Sequence, residues 1–105
     1  MLPDEDAEYL AIVRQELHDR AAALASTLAG ADLDADVVFR HMHAIAGIAR
    51  DVDPALAIAA RAACDLIRTP QGGRLAMTPE SVAALHGVIS DVVGRIGRLA
   101  AAIQP

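Results

Sequence analysis

His43 is the residue whose type and surroundings best suit it to chemistry. The stretch Val38 to Arg50 reads as a helix. At about 100° per residue, Val38, Met42, Ile45 and Ala49 gather on one apolar face. His43 lies almost opposite, in a stripe with Arg40, Ala46, Gly47 and Arg50. An outward imidazole is largely neutral near pH 7, since its unperturbed pKa is about 6.5, and it keeps a lone pair for attack. Two guanidinium groups flank it, and Gly47 leaves open space one turn further on. Arginines pair bidentately with phosphate oxygens, so this is a suitable seat for a phosphoryl group.

The other reactive side chains form no second constellation. His41 is two residues from His43, about 200° around the helix, so the pair cannot hold one metal ion from a single face. It turns toward the apolar side as a packed or boundary histidine. His18 reads as a solvated or boundary residue on the first helix and His86 as a surface residue on the last. Cys64 is the only cysteine, at an inward position, so no intramolecular disulfide forms and no zinc cluster is implied. The chain lacks a glycine-rich phosphate loop, a nucleophile elbow and any spacing that forces two carboxylates together. It is expected to have no ATP site of its own, no cofactor and no metal.

The elements that position His43 follow from periodicity. Hydrophobic residues make up 54% of the 105 residues, much of this alanine, and the only aromatics are Tyr9 and Phe39. Ala-rich amphipathic segments without strand-like alternation predict an all-α protein in a single domain, 1–105. Helices are expected over about 3–29, 34–50, 54–68 and 79–103. In the first, Leu10, Val13, Leu17, Ala21, Leu24 and Leu28 form a core stripe, and Gly30 stops it. Asp32 or Asp34 caps the second, and Asp53-Pro54 opens the third, whose inner face is read as Leu56, Ala59, Ala63 and Leu66. Thr69 to Met77, with Pro70, Gly72 and Gly73, is the one long loop, and Thr78-Pro79-Glu80 restarts the chain as a helix. Val82, Leu85, Ile89, Val92, Ile96, Leu99 and Ile103 then alternate three and four apart in a heptad-like seam. Gly87, Gly94 and Gly97 lie within that helix, where they would allow another helix to approach closely. Four helices with mostly short connections predict an antiparallel up-down four-helix bundle.

The formal net charge of −5 and the scarcity of stacking residues exclude an obvious nucleic-acid surface. No apolar run reaches the roughly 20 residues of a membrane span, and the acidic start (Asp4, Glu5, Asp6) is unlike a signal peptide. A cytoplasmic protein is expected, with a partner protein or a small metabolite as its ligand. The start at Met1 and the end soon after the last helix favour a free-standing chain, and a domain of a larger kinase is equally compatible with the residues.

Phe39, Arg40, His43, Ile45 and Gly47 resemble the second-helix motif of histidine phosphotransfer (HPt) domains, most closely that of chemotaxis-type histidine kinases. That motif reads Phe-Arg-x-x-His-x-Leu/Ile-Lys-Gly, and Ala46 stands here in place of its lysine. The join Gly73…Met77-Thr78-Pro79-Glu80 is similar to the corresponding join of those kinases, and the resemblance spans about Asp6 to Ile103. It implies a four-helix bundle in which His43 accepts a phosphoryl group from a histidine kinase catalytic domain or a receiver. The group then passes to a receiver-domain aspartate. The family's tautomer-fixing carboxylate, 22 residues after the histidine, falls on Asp65, and its accompanying histidine falls on Ala62. The family lysine that steadies the phosphoryl group is absent, so Arg40 and Arg50, within about 60° of His43, are the candidate replacements. Phe39, about 40° from His43, forms with Met42 and Ala46 either an apolar docking rim for a partner or part of the packing under the first helix. Two other readings stand beside the relay. One is a degenerate bundle that binds a kinase or receiver as a regulator without carrying phosphate. The other is a dimerisation module using the last helix.

Overall fold

The structure, a computed structural model, describes residues 4–30, 33–68 and 78–103. Four helices make up nearly all of this: α1 (Asp4–Ala29), α2 (Ala35–Ala49), α3 (Pro54–Ile67) and α4 (Pro79–Ile103). The loop expected over Thr69–Met77, and Asp32 as an alternative cap, lie outside the described residues.

Each described boundary has a local cause. The Gly30 N–H closes α1 on the carbonyls of Ser26 and Thr27, at 3.1 and 3.3 Å. Asp34 caps α2, its carboxylate accepting from the backbone N–H of Asp36 at 2.9 Å and of Val37 at 3.4 Å. Asp53 does the same for α3 through the N–H of Leu56 at 3.2 Å, with Pro54 in the first turn. Thr78 Oγ1 accepts the Ser81 N–H at 3.2 Å and opens α4. Between α2 and α3 the chain turns in four residues, with the N–H groups of Val52 and Asp53 both bonded to the Ala49 carbonyl. That tight turn makes α2 and α3 an antiparallel hairpin and fixes which α3 side chains stand beside His43.

The helices form an antiparallel up-down four-helix bundle. Among the described residues each helix packs against two neighbours, in the ring α1, α2, α3, α4, without diagonal contacts. Val13, Leu17, Ala21 and Leu24 of α1 face Leu85, Ile89, Val92 and Ile96 of α4, all buried. The α2–α3 interface is the most extensive, and it is built largely from small residues: Ala46 and Ala49 against Ala57, Ala60, Ala63 and Cys64. Short side chains bring the two helices close together, while Val38, Met42, Ile45, Leu56 and Ile67, all fully buried, fill the centre. Burying each of the larger side chains is worth about 1.5–3 kcal/mol.

Two packing expectations are corrected. The buried face of α3 centres on Leu56, Ala60, Ala63 and Ile67, whereas Ala59 and Leu66 sit half-buried at its edge. An alanine-rich helix has several nearly equivalent faces, and the small pair Ala60 and Cys64 selects the one that meets α2. The α4 glycines do not serve helix approach within the bundle. A Cβ at Gly87 or Gly97 would meet nothing within 4 Å, and at Gly94 it would meet only the Arg98 side chain at 3.5 Å.

Candidate functional site

His43 is exposed on the outward face of α2, because Val38, Met42, Ile45 and Ala49 commit the opposite face to the core. It stands at an open recess of about 350 Å³ between α2 and α3. From α2 the recess is lined by His43, Ala46, Gly47 and Arg50. From α3 and its C-cap it is lined by Arg61, Cys64, Asp65 and Arg68. The two sets share one spacing, i, i+3, i+4 and i+7. Three residues of each form a helical stripe and the fourth is the C-cap, Arg50 of α2 and the extended Arg68 of α3. The two rows face each other across a groove.

Phe39, one turn before His43, sets the attitude of the imidazole. The ring centroids are 6.0 Å apart and the planes only 9° from parallel, a stacked pair. The Arg68 guanidinium lies 5.4 Å from the centroid of the same Phe39 ring, within cation–π range. Phe39 is half-buried and packs against the core cluster. It therefore links the core, the imidazole and an α3 arginine.

The recess is electropositive although the chain carries a net charge of −5. Arg50, Arg61 and Arg68 are exposed and Asp65 is the one carboxylate lining it. Among the described residues none of these three arginines has an ion-pair partner; the described ion pairs are Arg20–Glu16 and Arg95–Asp91. Asp65 lines the same recess as His43, and no hydrogen bond joins the two among the described residues. A Cβ at Gly47 would meet nothing within 4 Å, so the space beside His43 is open. The recess floor holds the Cys64 thiol, 7% exposed, with its Sγ 3.9 Å from the Phe39 carbonyl oxygen. Burial, then the Asp65 charge, push this thiol above its ordinary pKa, with Arg68 partly opposing. It is a neutral wall of the site rather than a nucleophile.

His41 has a different environment from His43. It is half-buried on the α1 side, where Arg20 Nη1 donates to its Nδ1 at 3.2 Å. Accepting from a guanidinium requires the Nε2–H tautomer. Burial first, then Arg20 and Arg40, hold its pKa below the usual imidazole value. His18 and His86 are exposed and stand apart from the recess.

Several site expectations need correction. Met42 is fully buried and cannot belong to a docking rim; its position on the wheel is that of the core. Ala46 is also buried, at 9% exposure, and forms the floor of the recess rather than a rim. Arg40 is exposed on the flank of α2 away from α3 and does not line the recess. Arg61 and Arg68 were missed because their relation to His43 depends on how α3 is rotated against α2. The signal that could have found them is the repeat of the His43 stripe spacing in Arg61, Cys64, Asp65 and Arg68. Among the described residues, no helix is long and apolar enough to cross a membrane.

The sequence model of one family, described as Hpt domain, matches residues 8–102. No curated protein and no solved structure matches the chain significantly.

Proposed function

The chain belongs to the Hpt domain family, whose members are phosphocarriers in phosphorelay signalling, and from that premise we propose that His43 is its phosphoacceptor. The observation that carries this reading is the placement of His43. It is solvent-exposed, stacked on Phe39, and stands at the mouth of an arginine-lined recess. Hpt domains interact with histidine kinases and receiver domains, and both classes are the proposed partners.

Transfer is an in-line displacement. The Nε2 lone pair forms a bond to phosphorus while the bond from phosphorus to the donor oxygen breaks, and that oxygen leaves with its electron pair. The donor oxygen belongs to the ADP leaving group of a kinase-bound nucleotide or to the aspartyl phosphate of a receiver. The Nδ1 proton stays on the ring, and Asp65, which lines the same recess, is the proposed counter-charge to it. In the onward step a receiver carboxylate attacks phosphorus, the N–P bond breaks and its electron pair returns to Nε2. At about 5 Å, one guanidinium attracts one phosphoryl charge by about 1 kcal/mol in a water-like dielectric. Exposure keeps the contribution near that lower limit.

The test is phosphorylation by a panel of histidine kinases and phosphorylated receivers, read by intact mass, with wild type beside His43→Gln and His41→Gln. An acid-labile phosphoryl adduct lost only in His43→Gln is the expected result. Stable binding to a donor without any adduct would instead favour a regulator that docks without carrying phosphate.

A further inference from the structure

We infer that the phosphoryl group on His43 is held by arginines of the neighbouring helix, Arg61 and Arg68, together with Arg50. The inference rests on His43 as phosphoacceptor and adds the groups that receive the charge. All nine basic residues of the chain are arginines, so any cationic partner for phosphate has a guanidinium head. Three of them line the recess beside His43: Arg50 at the C-cap of α2, Arg61 on α3 and Arg68 at the C-cap of α3. Arg40, closest to His43 in sequence, lies outside it.

Arg61 lies on α3 and Arg68, seven residues on, is the extended residue that caps it, with Asp65 between them. Arg61, like Arg68, is exposed and without an ion-pair partner among the described residues, and it lines the recess. Arg68 is held against Phe39 at 5.4 Å. Phe39 is also the ring that stacks on His43, so Arg68 and the imidazole meet the same ring. A guanidinium offers two parallel N–H donors to a phosphoryl group, and Lys at the same place offers only a point charge. Gly47 leaves the space between the two stripes open. Phosphorylated His43 thus brings a dianion into a groove lined, among the described residues, by three arginines and one carboxylate.

The experiment uses phosphoramidate, a small donor that docks on no protein surface. Its P–N bond breaks, ammonia leaves, and Nε2 takes the phosphoryl group. Adduct formation and its subsequent hydrolysis are followed by intact mass and phosphorus NMR for wild type, Arg61→Gln, Arg68→Lys and Arg61→Gln/Arg68→Gln. Arg95→Gln, on α4 and outside the recess, is the charge control. The expected result is about 3- to 30-fold slower adduct formation in the double variant, from two exposed or half-exposed charge pairs. Arg68→Lys should lie in between, and added salt should slow wild type toward the double variant. Arg61→Gln alters one exposed side chain only, so its effect reads the charge without a folding penalty. An adduct on wild type with equal rates in the double variant and Arg95→Gln would overturn the arginine cradle while leaving His43 as acceptor. No adduct on wild type would remove the acceptor reading, and the cradle with it.

Discussion

Replacing Gly47 should make the protein more stable and a poorer phosphocarrier, and both effects can be sized. Gly47 lies in the last turn of α2, on its exposed face. A methyl group there would touch nothing within 4 Å, so substitution brings no steric cost in the folded chain. Glycine in a helix interior is about 0.8–1.0 kcal/mol less favourable than alanine, because its unfolded state has more conformational freedom to lose. In the last turn that figure is an upper bound, so Gly47→Ala should stabilise the bundle by up to about 1 kcal/mol, raising Tm by up to about 8 °C for a domain of this size. Gly47→Leu should stabilise nearly as much, since leucine is also a strong helix former. Yet each added carbon fills the recess that His43 shares with α3. Displacing a reacting group by 1 Å can cost about 100-fold, so transfer should fall in the order Gly47, Ala, Leu, with Leu at least about tenfold slower. Thermal unfolding by circular dichroism and phosphoryl transfer rates would be measured on the same three proteins. A loss of stability in Gly47→Ala would show that the helix is strained at this position. Equal transfer rates in all three would show that the space over Gly47 is irrelevant to the chemistry.

Three further outcomes are expected. Phe39→Leu keeps apolar volume but removes the ring that stacks on His43 and carries Arg68; it should cost about 0.5–1.5 kcal/mol of stability. It should also shift the His43 ring signals in NMR and slow transfer several-fold, and unchanged ring signals would refute a positioning role. For His41 the folded pKa is depressed, by burial first and then by Arg20 and Arg40, relative to about 6.5 in the unfolded chain. Between those two values the unfolded state binds more protons, so the His41 contribution is intact above about pH 7 and is lost as pH falls through the folded value. The difference in unfolding free energy between wild type and His41→Gln should follow that slope, and parallel curves would refute it. Cys64, buried with its pKa raised, should react with iodoacetamide at least about tenfold more slowly in the folded protein than in denaturant. Comparable rates would mean that the recess floor is open.

Much of this architecture was legible in residue order. The three- and four-residue steps of α1 and α4 leave one possible buried face each, and the buried residues Leu17, Leu24, Leu85 and Ile89 lie on it. Asp53-Pro54 announced its helix because a cap and a fixed φ coincide there. The outward direction of His43 followed from four apolar residues opposite it. What could not be read was the rotation of α3. Alanine buries little more on one face than another, so the periodicity of α3 points equally to Ala59 or Ala60, and only packing against α2 decides. That same rotation brings Arg61 and Arg68 to His43, so the cationic partners were sought on α2 instead. Arg40 is close on a helical wheel, which carries no information about where the neighbouring helix lies. Met42 was assigned to both the core and a rim, and the structure keeps only the first.

The central claim is that His43, and no other of the four histidines, carries the phosphoryl group. The most direct measurement is heteronuclear NMR on the phosphorylated protein with nitrogen-labelled imidazoles, which assigns the nitrogen bonded to phosphorus. A one-bond phosphorus–nitrogen coupling at His43 Nε2 is the predicted result. Coupling at His41, His18 or His86, or a phosphorus signal attached to no imidazole, would contradict it.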